Sequence, residues 1–90
     1  MQIKTKSGFK FEFDKAVLND WNVIEAIAMA DNNSNTTEQI RGIVNLSKIL
    51  LGSDLEKLKA HIASKNDGHV PIEVMSADVM SIIEAAGQGN

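Results

Sequence analysis

The sequence predicts a mainly helical α+β domain, in which an N-terminal β-hairpin is followed by about four helices. Alternation of apolar and polar residues near the N-terminus is typical of strands, and apolar residues then recur at helical spacing. A chain of 90 residues, 43% of them hydrophobic, can bury one modest core, so we expect a single domain over residues 1–90. The expected elements are a hairpin over about residues 2–13 and helices over about residues 15–31, 36–51, 54–64 and 71–86.

The hairpin is predicted from residues 9–13, where phenylalanine alternates with Lys10 and Glu12. Every second side chain of a strand points to the same face, so the three phenylalanines lie together. Gly8 can adopt the positive φ that a short hairpin loop requires, which places strands at about residues 2–5 and 9–13. Because an isolated hairpin is only marginally stable in water, we expect its phenylalanine face to pack on helices or on another subunit.

Polar residues suited to helix capping stand before each predicted helix. Their side-chain oxygens can accept hydrogen bonds from the N–H groups that a first helical turn leaves unpaired. The candidates are Asp14 for a short first turn, Asn19 or Asp20 next, Asn35 or Thr36 before the second helix, Ser53 in a capping box with Glu56, and Pro71 in the first turn of the last helix.

The apolar stripes of the helices predict which faces are buried. In the first helix Trp21, Ile24 and Ala28 fall close to one stripe, so we expect Trp21 to anchor the core near the hairpin. The apolar sector of the second helix is wider, which favours a central and most buried position. The last two helices carry narrower stripes, formed by Leu55, Leu58 and Ile62 and by Ile72, Met75, Val79, Ile82 and Ala86.

Composition and charge exclude several classes of protein. Nine basic and twelve acidic residues give a net charge of −3, which argues against nucleic acid as the main partner. The chain has no cysteine, so it has no disulfide and no thiolate nucleophile or metal ligand. No segment has the roughly 18 apolar residues of a membrane span, and the N-terminus lacks the apolar core of a signal peptide. We therefore expect a soluble, cytoplasmic protein with no membrane partner.

Residues that could carry chemistry are few. His61, His69 and Asp67 could in principle hold zinc, but the favoured interpretation is that His61 covers part of the third helix and His69 lies in an exposed turn. The polar loop 31–35 opens like a calcium-binding loop, but glycine and glutamate are missing from the positions that such a loop requires. We expect no metal, no cofactor and no catalytic residue, and hence a protein that is not an enzyme.

Residues 46–62 can also be interpreted as a helix-turn-helix, with Gly52 in the turn and Lys57, Lys59 and His61 on the second helix. A DNA-binding helix needs basic residues that reach the major groove and further contacts to phosphates. Only three potentially positive side chains lie on this second helix, in an acidic protein. A small DNA-binding regulator is therefore an alternative rather than the favoured function.

Hydrophobic surface indicates binding or assembly more strongly than catalysis. The predicted hairpin leaves two strand edges unpaired, and exposed edges invite pairing. The last helix carries apolar residues outside its main stripe, and methionine-bearing helices often form adaptable contact surfaces. The candidate partner-binding residues are Val74, Met75, Val79, Met80 and Ile83.

Five segments also carry a family resemblance. They are residues 8–14 (GFKFEFD), 18–27 (LNDWNVIEAI), 46–52 (LSKILLG), 55–59 (LEKLK) and 67–73 (DGHVPIE). In this order they resemble the small tail assembly chaperones of long-tailed bacteriophages, particularly those of Gram-positive hosts, and the resemblance covers about residues 8–84. It implies a non-enzymatic, mainly helical protein that binds the tape measure protein, keeps it soluble and tends to oligomerise.

The resemblance also implies a location in the host cytoplasm and absence from the mature virion, and it carries over no catalytic residue. A programmed frameshift makes an extended form in many such phages. Besides the DNA-binding regulator, a third possibility is a structural phage module that oligomerises through its hairpin.

Overall fold

The computed structural model of the protein describes residues 1–88 as a two-stranded antiparallel sheet and four α-helices joined by short connections. The elements are β1 (Gln2–Lys4), β2 (Lys10–Glu12), a 3-10 helix (Lys15–Asn19), α1 (Trp21–Ala30), α2 (Thr36–Leu51), a second 3-10 helix (Gly52–Asp54), α3 (Leu55–Ser64) and α4 (Ile72–Gln88). The predicted fold class, mainly α with an N-terminal β-hairpin, is confirmed. No helix within residues 1–88 is long and apolar enough to cross a membrane.

The hairpin packs its predicted face onto the helices. β1 and β2 are antiparallel, and Ile3 lies opposite Phe11, with both side chains buried. Phe13 is buried as well, while Phe9 is half-buried and packs against the core. Gly8 has a φ of 97°, the left-handed conformation that the turn requires.

Polar contacts tie the turn of the hairpin to α3 and α4. The Asp78 carboxylate, which is 1% exposed, accepts hydrogen bonds from the Thr5 hydroxyl at 2.9 Å and from the Ser7 backbone N–H at 2.8 Å. The Ser7 carbonyl oxygen accepts from His61 Nε2 at 3.0 Å and from Lys65 Nζ at 2.9 Å. These contacts supply the support that a lone hairpin lacks.

The helix predicted over residues 15–31 is two helices. Asp20 is extended, with φ −75° and ψ 131°, and its carboxylate accepts a hydrogen bond from the Asn22 N–H at 2.8 Å. The cap at Asp20 therefore separates the 3-10 helix Lys15–Asn19 from α1. Asp14 caps the 3-10 helix in the same way, by accepting from the Ala16 N–H.

The predicted orientation of α1 is wrong. Trp21 is 70% exposed and Ile24 is 51% exposed, and Ala28 is also exposed. The buried face of α1 consists instead of Val23, Ala26 and Ala30. Ala26 and Ala30 fit there because α1 lies very close to α2, while Trp21 points to solvent and is no core anchor.

α2 contacts each of the other three α-helices, as expected of a central helix. Asn35 caps it by accepting a hydrogen bond from the Glu38 N–H at 3.0 Å. The capping box predicted at Ser53 is wrong, because the chain turns through the 3-10 helix Gly52–Asp54 and α3 begins without a side-chain cap.

One cluster of buried residues joins the hairpin to all four helices. The stripe of α3 is confirmed by Leu58 and Ile62, which are fully buried. The stripe of α4 is confirmed at its centre and wrong at its start, where Ile72 is exposed. The buried members of the α4 stripe are Val79, Ile82 and Ala86.

Candidate functional site: a groove between α2 and α4

An apolar groove runs between α2 and the start of α4. It consists of two depressions that share the side chains of Ile40, Ile43 and Ile72. The first, of about 230 Å³, is also lined by Val44, Leu55, Val70, Met75, Lys48 and Lys59, and we call it the lysine depression. The second, of about 370 Å³, is also lined by Ala30, Gln39, Ser76, Met80, Asp31 and Glu73, and we call it the acidic depression.

Large apolar side chains are exposed along this groove. Ile40 is 38% exposed, Val44 is 42% exposed and Ile72 is 57% exposed. Fully burying one side chain of this size is worth about 1.5–3 kcal/mol, and a side chain that is already half-covered gains correspondingly less. A partner that covers all three side chains gains the free energy of burying each of them, so the groove can bind an apolar surface of another chain.

The five candidate residues on α4 do not share one surface. Met75 lines the lysine depression, and Met80 lines the acidic depression. Val74 lies beside Lys6 and Ser7 on the hairpin side of α4, and Ile83 is half-buried against the core. Val79 is fully buried, so it can contact a partner only if α4 leaves the core. The partner-binding role of the set remains a prediction.

The apolar residues of α2 that line the groove were not predicted as a site. Ile40 and Val44 belong to the wide apolar sector of α2, which was expected to be buried, but both are exposed. A sector wider than the neighbouring helices can cover is itself the signal of a surface groove. Ile72 was likewise assigned to the core, although it stands at the first position of α4.

A second apolar surface lies on α1, and we call it the α1 outer face. It consists of Trp21, Ile24 and Ala28, which lie at positions i, i+3 and i+7 of the helix. Tryptophan is among the residues that contribute most to protein–protein interfaces. The acidic side chains of Asp20 and Glu25, both exposed, flank this face.

Basic groups of the alternative helix-turn-helix interact with the protein itself. Lys57 Nζ lies 3.8 Å from Asp54 Oδ1, and Lys59 Nζ lies 3.2 Å from Glu56 Oε2. His61 Nε2 donates to the Ser7 carbonyl oxygen, as described above. Because Asp54 and Glu56 lie beside these lysines, the net positive charge that this helix offers to a phosphate backbone is small.

The histidines are not brought together as a metal site. Within residues 1–88, no group of three or more histidine, cysteine, aspartate or glutamate side chains could hold a metal ion. His69 is exposed, as expected from its place in a turn. The side chain of His61 instead packs near the ring of Phe9, with 5.8 Å between ring centroids.

Comparison of the chain with protein families, with curated proteins and with solved structures gives no match. Function is therefore inferred from the groove, the exposed surfaces and the resemblance of the five segments.

Proposed function

We propose that the protein is a phage tail assembly chaperone, which binds the tape measure protein and keeps it soluble without catalysing a reaction. The observation that carries the proposal is the groove between α2 and α4, with Ile40, Val44 and Ile72 exposed along it. The resemblance of residues 8–84 to this family of chaperones supports the same role. The protein acts in the host cytoplasm and leaves before the virion is complete.

The chemistry of the client explains why such a groove is useful. A tape measure protein is long and helical, and its apolar stripes aggregate if they stay exposed before the tail tube forms. An amphipathic helix can place such a stripe in an apolar groove, which is a common mode of recognition. The net charge of −3 favours solubility of the complex.

We also propose that the protein acts as a homo-oligomer. The α1 outer face supports this proposal, since it offers a second apolar surface whose residues line neither depression of the groove. Several copies along one client give a high total affinity while each contact stays weak enough to release. A chaperone that must leave the finished tail needs this combination.

Co-expression with the tape measure protein tests the proposed function. We expect the client to be recovered in the soluble fraction and to co-purify with the chaperone, and to be insoluble when it is expressed alone. A folded chaperone that neither binds nor solubilises the client contradicts the proposal. Retention of the protein in purified virions contradicts it as well and favours the structural module that oligomerises through its hairpin.

Salt dependence separates this function from the DNA-binding alternative. Binding to DNA weakens steeply as salt rises, because counterions are released from the phosphates. Binding in the groove rests mainly on apolar contacts, so we expect the complex with the client to persist at high salt. DNA binding that is lost with Lys57→Glu would favour the regulator instead.

A further inference from the structure

The two depressions of the groove carry opposite charge. The titratable side chains of the lysine depression are Lys48 and Lys59, and no acidic residue lines it within the described chain. Those of the acidic depression are Asp31 and Glu73, and among residues 1–88 no basic residue lines it. The three shared isoleucines lie between them, so the groove is apolar in the middle and charged with opposite sign at its two ends.

The charged groups at both ends can reach a bound partner. Lys48 is exposed and forms no salt bridge with another residue in the described part of the chain. Lys59 pairs with Glu56, but the Glu56 side chain is 79% exposed, and such solvated pairs exchange partners at little cost. Asp31 and Glu73 are exposed.

We propose that the groove recognises the charge order of a helix as well as its apolar stripe. The bound helix of the client carries acidic side chains at the end that lies over Lys48 and Lys59. It carries basic side chains at the end over Asp31 and Glu73. This inference rests on the proposed function, because it assumes that a helix of the client enters the groove.

The dimensions of the groove suit a helical segment of a few turns. Its lining on α2 extends from Gln39 to Lys48, which at the helical rise spans about 14 Å. A bound helix running beside α2 therefore covers both depressions with about ten residues. Charges on the rim of an interface mainly set specificity and orientation, while the apolar centre supplies most of the affinity.

Charge order thus gives the chaperone a way to choose among many apolar stripes. A helix with mixed charges places some side chains against groups of the same sign, and these contacts are unfavourable. An exposed pair near the low end of the usual range changes affinity by about 1.5- to 1.8-fold, so we expect four of them to change affinity by about fivefold to tenfold.

Peptides of identical composition test the inference. Each has about 18 residues, long enough to form a helix, and the same apolar stripe at positions i, i+3, i+4 and i+7. One isomer has glutamates in its first half and lysines in its second, another has the reverse order, and a third has the two residues mixed. Affinity is measured by fluorescence anisotropy at low and high salt, and helicity by circular dichroism.

We expect both isomers with separated charges to bind about fivefold to tenfold more tightly than the mixed isomer. Both should bind more tightly because a helix can enter the groove in either direction. An effect of helix stability alone would favour only the isomer with glutamates in its first half, where they interact favourably with the helix dipole. The preference should shrink at high salt. It should disappear in the double variant Lys48→Glu with Lys59→Glu, and persist in the control Lys4→Glu with Lys57→Glu, whose residues lie outside the groove.

The outcomes separate this inference from the proposed function. Equal binding of all three isomers to the wild-type protein overturns the inference on charge order and leaves the groove as the client site. Failure of every isomer to bind overturns the inference and the groove together. Solubilisation of the tape measure protein in co-expression would still support the chaperone function, through another surface.

Discussion

A Cβ atom on Gly42 would collide with the backbone nitrogen of Ala30, so α1 and α2 touch backbone to backbone. The same atom would lie 2.8 Å from the carbonyl oxygen of Ala26. Only the small face of α1 fits so close a contact. The larger stripe of α1, which contains Trp21, is therefore turned to the surface, where it is available to other chains.

Gly42→Ala should destabilise the protein although alanine favours helices. The added methyl group meets backbone atoms, which cannot move aside as a flexible side chain could. We expect a loss of about 1–3 kcal/mol in the free energy of unfolding, measured by urea denaturation. The control is Gly87→Ala near the end of α4, where a Cβ has nothing within 4 Å, so alanine should not destabilise the protein. A Gly42→Ala variant as stable as the wild type would contradict the close packing of α1 on α2.

Trp21 should report its own exposure. It is the single tryptophan of the chain, so the intrinsic fluorescence arises from it alone. In dilute protein we expect emission at long wavelength and efficient quenching by acrylamide, and Trp21→Ala should cost less than about 0.5 kcal/mol of stability. A shift to shorter wavelength as the protein concentration rises would show that the α1 outer face is covered in an oligomer. Short-wavelength emission that persists on dilution would contradict the outward orientation of α1.

Asp78→Ala should loosen the hairpin. It leaves the Thr5 hydroxyl and the Ser7 N–H without the carboxylate that accepts their hydrogen bonds. Leaving buried donors without their acceptor costs about 1–3 kcal/mol. The matched control is Glu84→Ala, an exposed acidic residue on the same helix, which should change stability by less than about 0.5 kcal/mol. Unchanged hydrogen exchange at the Ser7 amide in Asp78→Ala would show that the contact does not hold the turn.

Two neighbouring residues of α4 should respond differently to the same substitution. Val79→Asp puts a charge into the core and should unfold the protein. Met80→Asp lies at the acidic depression, so the fold should survive while the soluble yield of the co-expressed client falls. If Met80→Asp changes neither the fold nor client solubility, Met80 is not part of the client contact.

The fold class followed from local signals, and the orientation of helices did not. Alternation at residues 9–13 and the caps at Asp20 and Asn35 act within a few residues, so the sequence carries them directly. The orientation of α1 depends instead on Gly42, which lies on another helix and permits the close approach. A stripe of large residues normally marks the buried face, and here a tight helix contact selected the small face.

The candidate groove could be predicted only in part, for a similar reason. Met75 and Met80 were identified from the apolar character of α4, and both line the groove. Ile40 and Val44 were missed because apolar periodicity does not tell a buried face from one that neighbouring helices leave uncovered. The opposite charges of the two depressions also could not be predicted, since the lining of these depressions comes from all four helices.

The most direct test of the groove compares two isoleucines that have similar exposure and lie on different surfaces. Ile72 lies in the groove and Ile24 on the α1 outer face, and both are more than half exposed, so aspartate should leave the fold intact in either case. We predict that Ile72→Asp abolishes solubilisation of the co-expressed tape measure protein, whereas Ile24→Asp still binds it in a pull-down. If the Ile72→Asp variant solubilises the tape measure protein as well as the wild type does, the assignment of the groove as the client site is contradicted.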